Sequence, residues 1–277
     1  MNSMSHARPG PSRTLAPDVA KPPFRDDLKL AGALGLVAAL ATAALFPYLM
    51  QIMPEALAKL PIPLALVVPL QALQAGVLLG LLSLAGLRMA PRANLRLPWL
   101  RAWVTRQPLP RFPWLLSLVA GVATALVLVS LTTLIDPLLP PPLHGATTTQ
   151  PAVTALAGLL ASFYGGIGEE LQLRLFLMTL VVWVFARLGK RAPSPMVYWI
   201  AIVTAALLFG AGHLPAAAQV WPLDEMVVFR TLLLNGIAGL VFGWLYWKRG
   251  LETAMVAHFG ADLVLHVAMP LLAPWFA

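Results

Sequence analysis

After the first 27 residues, long apolar runs alternate with short polar connections all the way to the C-terminus. The runs at 30–53, 62–87, 114–135, 151–187, 195–213, 226–247 and 251–272 are each near or above the roughly 20 residues a helix needs to cross a bilayer. A helix satisfies its own backbone groups, which hydrocarbon cannot do for it. The pattern therefore predicts an all-α polytopic membrane protein with about seven transmembrane helices. Residues 1–27 are polar and proline-rich and read as a disordered cytoplasmic tail. Residues 28–150 hold three spans and a basic loop, and 151–277 hold the remaining four.

Composition supports this reading, since 59% of the 277 residues are hydrophobic and only 11% charged, against roughly 25% charged in soluble domains. The net charge of +8 could suggest nucleic acid, but its location decides otherwise. With the N-terminus in the cytoplasm and 151–187 crossing once, 16 of the 19 Lys and Arg residues fall in cytoplasmic segments. No nucleic acid partner is expected, and the lipid bilayer is. Arg88, Arg92, Arg96, Arg101, Arg106 and Arg111 alternate with Leu97, Trp99, Leu100, Trp103 and Val104, with no acid among them. That loop suits a helix lying on an anionic membrane surface. The run at 151–187 is long for one span, so its first part is expected to be interfacial, tilted or re-entrant. Gly76 with Gly80, and Gly239 with Gly243, have the spacing that lets helices approach closely, while Gln71 and Gln74 read as interhelical hydrogen-bonding groups. Cysteine is absent, which removes disulfides, a thiol nucleophile and cysteine metal sites.

Chemistry enters where charge breaks the apolar pattern. Glu169, Glu170 and Arg174 lie deep in the 151–187 run, behind Gly165, Gly166 and Gly168. An ionisable group near a helix centre costs about 2.5–3.5 kcal/mol, so the three must pair or face a wet interior. Helical spacing stacks Glu170 on Arg174 as a structural ion pair and turns Glu169 about 100° away, free for chemistry. Phe209 and His213 lie one turn apart at the end of the fifth run. His258 and Asp262 share a face of the seventh, with His266 one turn further on. A carboxylate with imidazoles can deprotonate water for attack on a carbonyl, or ligate a divalent metal such as zinc, and either route leads to hydrolysis. Without cysteine, the candidate ligands are Glu169, His213 and His258. No cofactor is fixed by this set, and tightly held metal is not expected. The same charged core would also suit a non-enzymatic membrane protein, either a proton-coupled transporter or a scaffold. A transporter should show an internal repeat of interrupted spans, and none is clear. Depth poses a problem. By helical rise, Glu169 and His213 lie about 27 Å from Arg187 and Pro195, but His258 only about 14 Å from Arg249, so some helices must tilt, kink or project.

Taken in order, these residues resemble the CPBP intramembrane endopeptidases, the group of the type II CAAX prenyl proteases and of bacterial bacteriocin-processing proteins. The first motif of that family, two glutamates with an arginine four after the second, is matched by Glu169, Glu170 and Arg174. The second is matched by Phe209 and His213, and the third by His258 and Asp262. The resemblance implies a catalytic helical core at 151–277 in which Glu169 and His213 activate water. His258 and Asp262 would form the oxyanion site or complete a metal site, and Phe209 would support them. It implies hydrolysis of a membrane-associated or prenylated peptide or protein, in a multi-pass protein of the bacterial inner membrane. The third motif departs from the prenyl proteases, which typically have an amide where this chain has Asp262, and a carboxylate donates to an oxyanion only when protonated.

Overall fold

The computed structural model describes residues 22–143, 154–189 and 192–272. Among these there is no strand, and seven helices are long and apolar enough to cross a membrane. In chain order the helices are α1 (Phe24–Ile52), the short α2 (Pro54–Ala58), α3 (Leu64–Ala93), α4 (Pro98–Val104) and α5 (Trp114–Ile135). There follow α6 (Ala155–Gly189), α7 (Pro195–Ala217), α8 (Glu225–Arg249) and α9 (Leu251–Leu272). All but α2 and α4 are candidate spans. Exposed Leu, Val, Phe and Trp side chains cover the outside of the bundle, as expected for a lipid-facing surface.

Close helix contacts fall where small residues recur. α1 meets α3 at Gly35, where a Cβ would come within 2.6 Å of the Gly76 carbonyl oxygen and 3.1 Å of the Gly80 Cα. α7 meets α8 where Ala206 and Ile202 lie against Gly239 and Gly243. Both glycine pairs therefore work as their spacing predicts. The glutamines do not. Gln71 and Gln74 are exposed, because the face of α3 turned to α1 is taken by Gly76 and Gly80.

Three further expectations need correcting. α1 begins at Phe24, so the stretch read as a disordered tail gives up its last residues to a helix, while residues 1–21 lie outside the described residues. The cause is Asp27, which is fully buried and pairs with Arg88 at 2.7 Å and with Arg101. The basic loop thus finds its acid in another helix, and two of its six arginines turn inward rather than toward a membrane surface. Its helix, α4, is only seven residues long. The run at 151–187 does not double back where it is described: α6 is one continuous helix. Wide π-type turns at Tyr164–Glu169 and Leu171–Met178 absorb part of its length, since π turns hold more residues per turn and advance less per residue.

The connections gather on two opposite faces. On one, the Leu251 N–H donates to the Arg96 carbonyl at 3.1 Å and the Leu100 N–H to Glu252 at 2.8 Å. On the other, Gln51 and Thr154 exchange two hydrogen bonds, the Leu143 N–H donates to the Val220 carbonyl, and Arg230 holds Asp136 at 2.6 and 3.1 Å. This alternation is what seven crossings require. It also eases the problem of depth. The start of α9 is tucked beneath the 96–100 segment, with Leu251 at 0% exposure and Glu252 at 7%, so His258 starts from inside the bundle rather than from its edge. Gly250, at φ 108°, makes the sharp reversal that permits this, a conformation a side chain would strain.

Candidate active site

The π-type turns of α6 carry the first group of polar residues, and three glycines within the first of them, Gly165, Gly166 and Gly168, weaken the α-helical ladder. Such turns occur frequently at functional sites. Here they place Glu170 and Arg174 in the interior, at 0% and 1% exposure, while Glu169 keeps 21% of its side chain accessible. Glu170 Oε1 lies 3.0 Å from Arg174 Nη1. The contact is an ion pair by distance and not an aligned hydrogen bond, since neither Arg174 Nη1 nor Glu170 Oε2 has a hydrogen-bond partner among the described residues. What holds the guanidinium in place is broader. Its Nη2 donates to the Gly239 carbonyl at 3.3 Å, and its plane lies between the rings of Phe209 and Phe242, at 5.2 and 5.6 Å from their centroids.

Glu170 does more than pair with Arg174. The same Oε1 accepts from His258 Nδ1 at 2.8 Å, so one buried carboxylate fixes both a cation and an imidazole. His258 is also stacked on Phe242, with centroids 4.5 Å apart, which fixes its plane. With Nδ1 committed to Glu170, its Nε2 points to two further carboxylates, Glu169 Oε2 at 3.6 Å and Asp262 Oδ1 at 3.8 Å.

His213 approaches from α7. Its Nδ1 lies 2.9 Å from the Phe209 carbonyl, which can only accept, so Nδ1 carries a proton and Nε2 is the nitrogen turned to the site. That Nε2 is 4.0 Å from Glu169 Oε1. Phe209 therefore serves the site in two ways, orienting His213 through its carbonyl and Arg174 through its ring. The fifth run continues as a helix past His213 and through Pro215 to Ala217, so His213 is not the last residue of its span.

Asp262 packs on the backbone of Gly165: a Cβ there would collide with Asp262 Oδ2 and come within 3.2 Å of His258 Nε2. Gly165 is thus small because the third motif needs the space. All of Glu169, Glu170, Arg174, Phe209, His213, His258 and Asp262 converge. His266 turns instead to α1, edge-on to Tyr48 at 5.4 Å. Sequence reading missed Phe242, Tyr48 and Glu252, which carry no spacing signal. It also missed the Gln172 amide, which donates to the Tyr164 hydroxyl at 3.3 Å and the Gly168 carbonyl at 3.2 Å beside Glu169.

Glu169 is the hub of this arrangement, one oxygen toward each of two histidines from different helices. Against known families, one part of the chain finds a match. Residues 151–264 match the family model described as type II CAAX prenyl endopeptidase Rce1-like. The match is consistent with the CPBP resemblance carried by the three motifs, and the matched residues include the whole cluster, from Glu169 to Asp262. The first 150 residues lie outside it. No curated protein and no solved structure gives a match.

Proposed function

We propose that this protein is an intramembrane endopeptidase whose attacking water is activated by Glu169 and His213, acting on a peptide or protein held at the membrane. The observation that carries the reading is the position of Glu169, partly accessible and addressed by His213 at 4.0 Å and His258 at 3.6 Å. Both imidazoles reach whatever molecule Glu169 holds. In the proposed step Glu169 takes a proton from water as the oxygen attacks the scissile carbonyl, with Nε2 of His213 as second acceptor. His258 in its imidazolium form donates Nδ1–H to Glu170 and offers Nε2–H to the oxyanion, as a preorganised donor should. Asp262 adds a second donor when protonated. Glu169 then returns its proton to the leaving amine. The Rce1-like match supports a CAAX-type substrate, meaning a peptide anchored near its C-terminus by a lipid.

Catalysis is assigned to residues 151–277, and 28–150 serve as support. A divalent metal would draw on Glu169, His213 and His258. Among the described residues no three His, Asp or Glu side chains are disposed to share one ion, so no step is routed through one. Stoichiometric zinc in the purified protein, lost together with activity in His213→Ala, would reverse that choice. The N-terminus and the 88–111 loop are placed in the cytoplasm of a bacterial cell, and 136–150 on the other side. Reporter fusions at Arg101 and Leu143 should show opposite sidedness, and the same sidedness overturns the assignment. The deciding experiment incubates detergent-purified protein with membrane peptides and reads cleavage by mass spectrometry. Products should form with the wild type and not with Glu169→Gln.

A further inference from the structure

A cavity of about 390 Å³ opens at the corner between α3 and α4, lined by Pro22, Asn94, Arg96, Pro98 and Arg101 together with apolar residues of both elements. Its size is in the range of small-molecule sites. The surroundings are strongly unbalanced in charge. Arg88 and Arg101 share the single carboxylate of Asp27, which leaves one positive charge over. Arg92 and Arg96 are exposed and make no ion pair or hydrogen bond through their side chains among the described residues. Trp103, two residues after Arg101 on the short helix, is 55% exposed, and Trp99, next to Pro98 of the cavity wall, is partly exposed. A polar mouth at the end of a lipid-facing span, with tryptophans nearby, is the usual setting of a headgroup-level site.

We infer that this corner is a binding site for the phosphodiester headgroup of an anionic membrane lipid, taken up between Arg96 and Arg101. Charge complementarity decides the occupant. The chain's own first 21 residues carry Arg8, Arg13 and Lys21 against Asp18 alone, so they are net positive and do not suit the cavity. A zwitterionic headgroup brings its own cation, which the surplus arginines repel. An anionic lipid of the surrounding leaflet offers the missing charge and already has its chains alongside α3.

The site is tied to the helix that carries His258. The Arg96 carbonyl receives the N–H of Leu251, the first residue of α9, and the N–H of Leu100 is held by Glu252 in the next position. A lipid that orders the 94–101 segment therefore also orders the start of α9. This is a route by which leaflet composition acts on the site, and the lipid binding itself does not rest on the protease reading.

The test uses the full chain in detergent and native mass spectrometry, with phosphatidylglycerol and phosphatidylcholine as probes. Wild type should retain phosphatidylglycerol in preference to phosphatidylcholine. Arg96→Gln should weaken that retention about fivefold, the effect of one arginine near an anionic surface. Arg111→Gln, which removes the same charge from the same loop away from the cavity, should leave retention unchanged. Hydrogen exchange at 251–257 should slow on adding phosphatidylglycerol to wild type and respond less in Arg96→Gln. Equal losses in both variants, or no preference over phosphatidylcholine, overturn the site. Displacement of phosphatidylglycerol by millimolar inorganic phosphate would show a soluble phosphate site instead.

Discussion

Two buried charge clusters stand in this bundle, and they are built on opposite terms. In the first, Asp27 sits at 0% exposure with one carboxylate oxygen on Arg88 and the other on Arg101, so the buried acid is fully used. In the second, Glu169, Glu170 and Asp262 face one arginine and two histidines, and the contacts around Glu169 stretch to 3.6 and 4.0 Å. The first cluster ties α1, α3 and α4 together around a carboxylate with both oxygens engaged, and its surplus is one positive charge. The second holds more carboxylate than fixed cation and leaves one carboxylate partly accessible, which is what the proposed reaction draws on. Buried charges are expensive unless paired, so the under-paired carboxylates of the second cluster support its proposed role.

The sharpest way to break this comparison is Glu169→Gln. The change keeps shape and removes the base, so cleavage should fall about 10²–10⁴-fold, the usual contribution of a positioned acid–base group. The melting temperature should stay near that of the wild type, because no contact of Glu169 is a close hydrogen bond. Cleavage at the wild-type rate ends the hydrolase reading.

Glu170→Gln should fail in both respects at once. Removing one partner of a buried ion pair costs about 3–5 kcal/mol, read as a lower melting temperature. The same change takes away the carboxylate that holds His258 Nδ1 at 2.8 Å. Activity per folded molecule, measured well below the melting temperature, should therefore also fall. A variant that is only destabilised would show Glu170 to be structural alone, which is all its spacing to Arg174 suggests.

How far the site was legible follows from where its information is stored. Helix periodicity paired Glu170 with Arg174 and His258 with Asp262, because each pair lies within one helix. Nothing in a one-dimensional spacing says that Glu170 also reaches His258, 88 residues away, or that the rings of Phe209 and Phe242 enclose Arg174. The seven spans were legible from composition, since lipid leaves helices few alternatives. The π-type turns were not, because three glycines weaken a helix without saying how it will yield. Asp27 was misjudged as part of a tail for the same reason that Glu252 was overlooked: an acid at a span's edge reads as solvated until its partner in another connection is known.

Asp27→Asn tests the sealed cluster. Arg88 and Arg101 keep 32% and 20% of their side chains accessible, so both can turn to water when the charge is lost. The cost should be about 1–3 kcal/mol, that of losing charge-assisted hydrogen bonds at a buried acceptor. Thermal unfolding of the purified protein reads it, and cleavage per folded molecule should be unchanged. A loss of activity at full stability would mean that this cluster also serves the reaction and that the contrast drawn between the two is wrong.

The smallest effect belongs to a third pair, Arg230 with Asp136, which joins the end of α5 to the start of α8 at 2.6 and 3.1 Å. Arg230 lies near the start of the span Glu225–Arg249. Its guanidinium sits at the opposite face from α4, over the ring of Trp221 at 5.1 Å, with 17% of its own side chain and 41% of that of Asp136 exposed. An exposed pair is worth about 0.2–1 kcal/mol, and an exposed cation–π contact about 0.5–1 kcal/mol. Both weaken when the arginine is replaced, so Arg230→Gln should cost about 1 kcal/mol and high salt should hide part of the difference. A loss several times larger, insensitive to salt, would place Arg230 in a desolvated setting and make it a third buried cluster rather than a surface clasp.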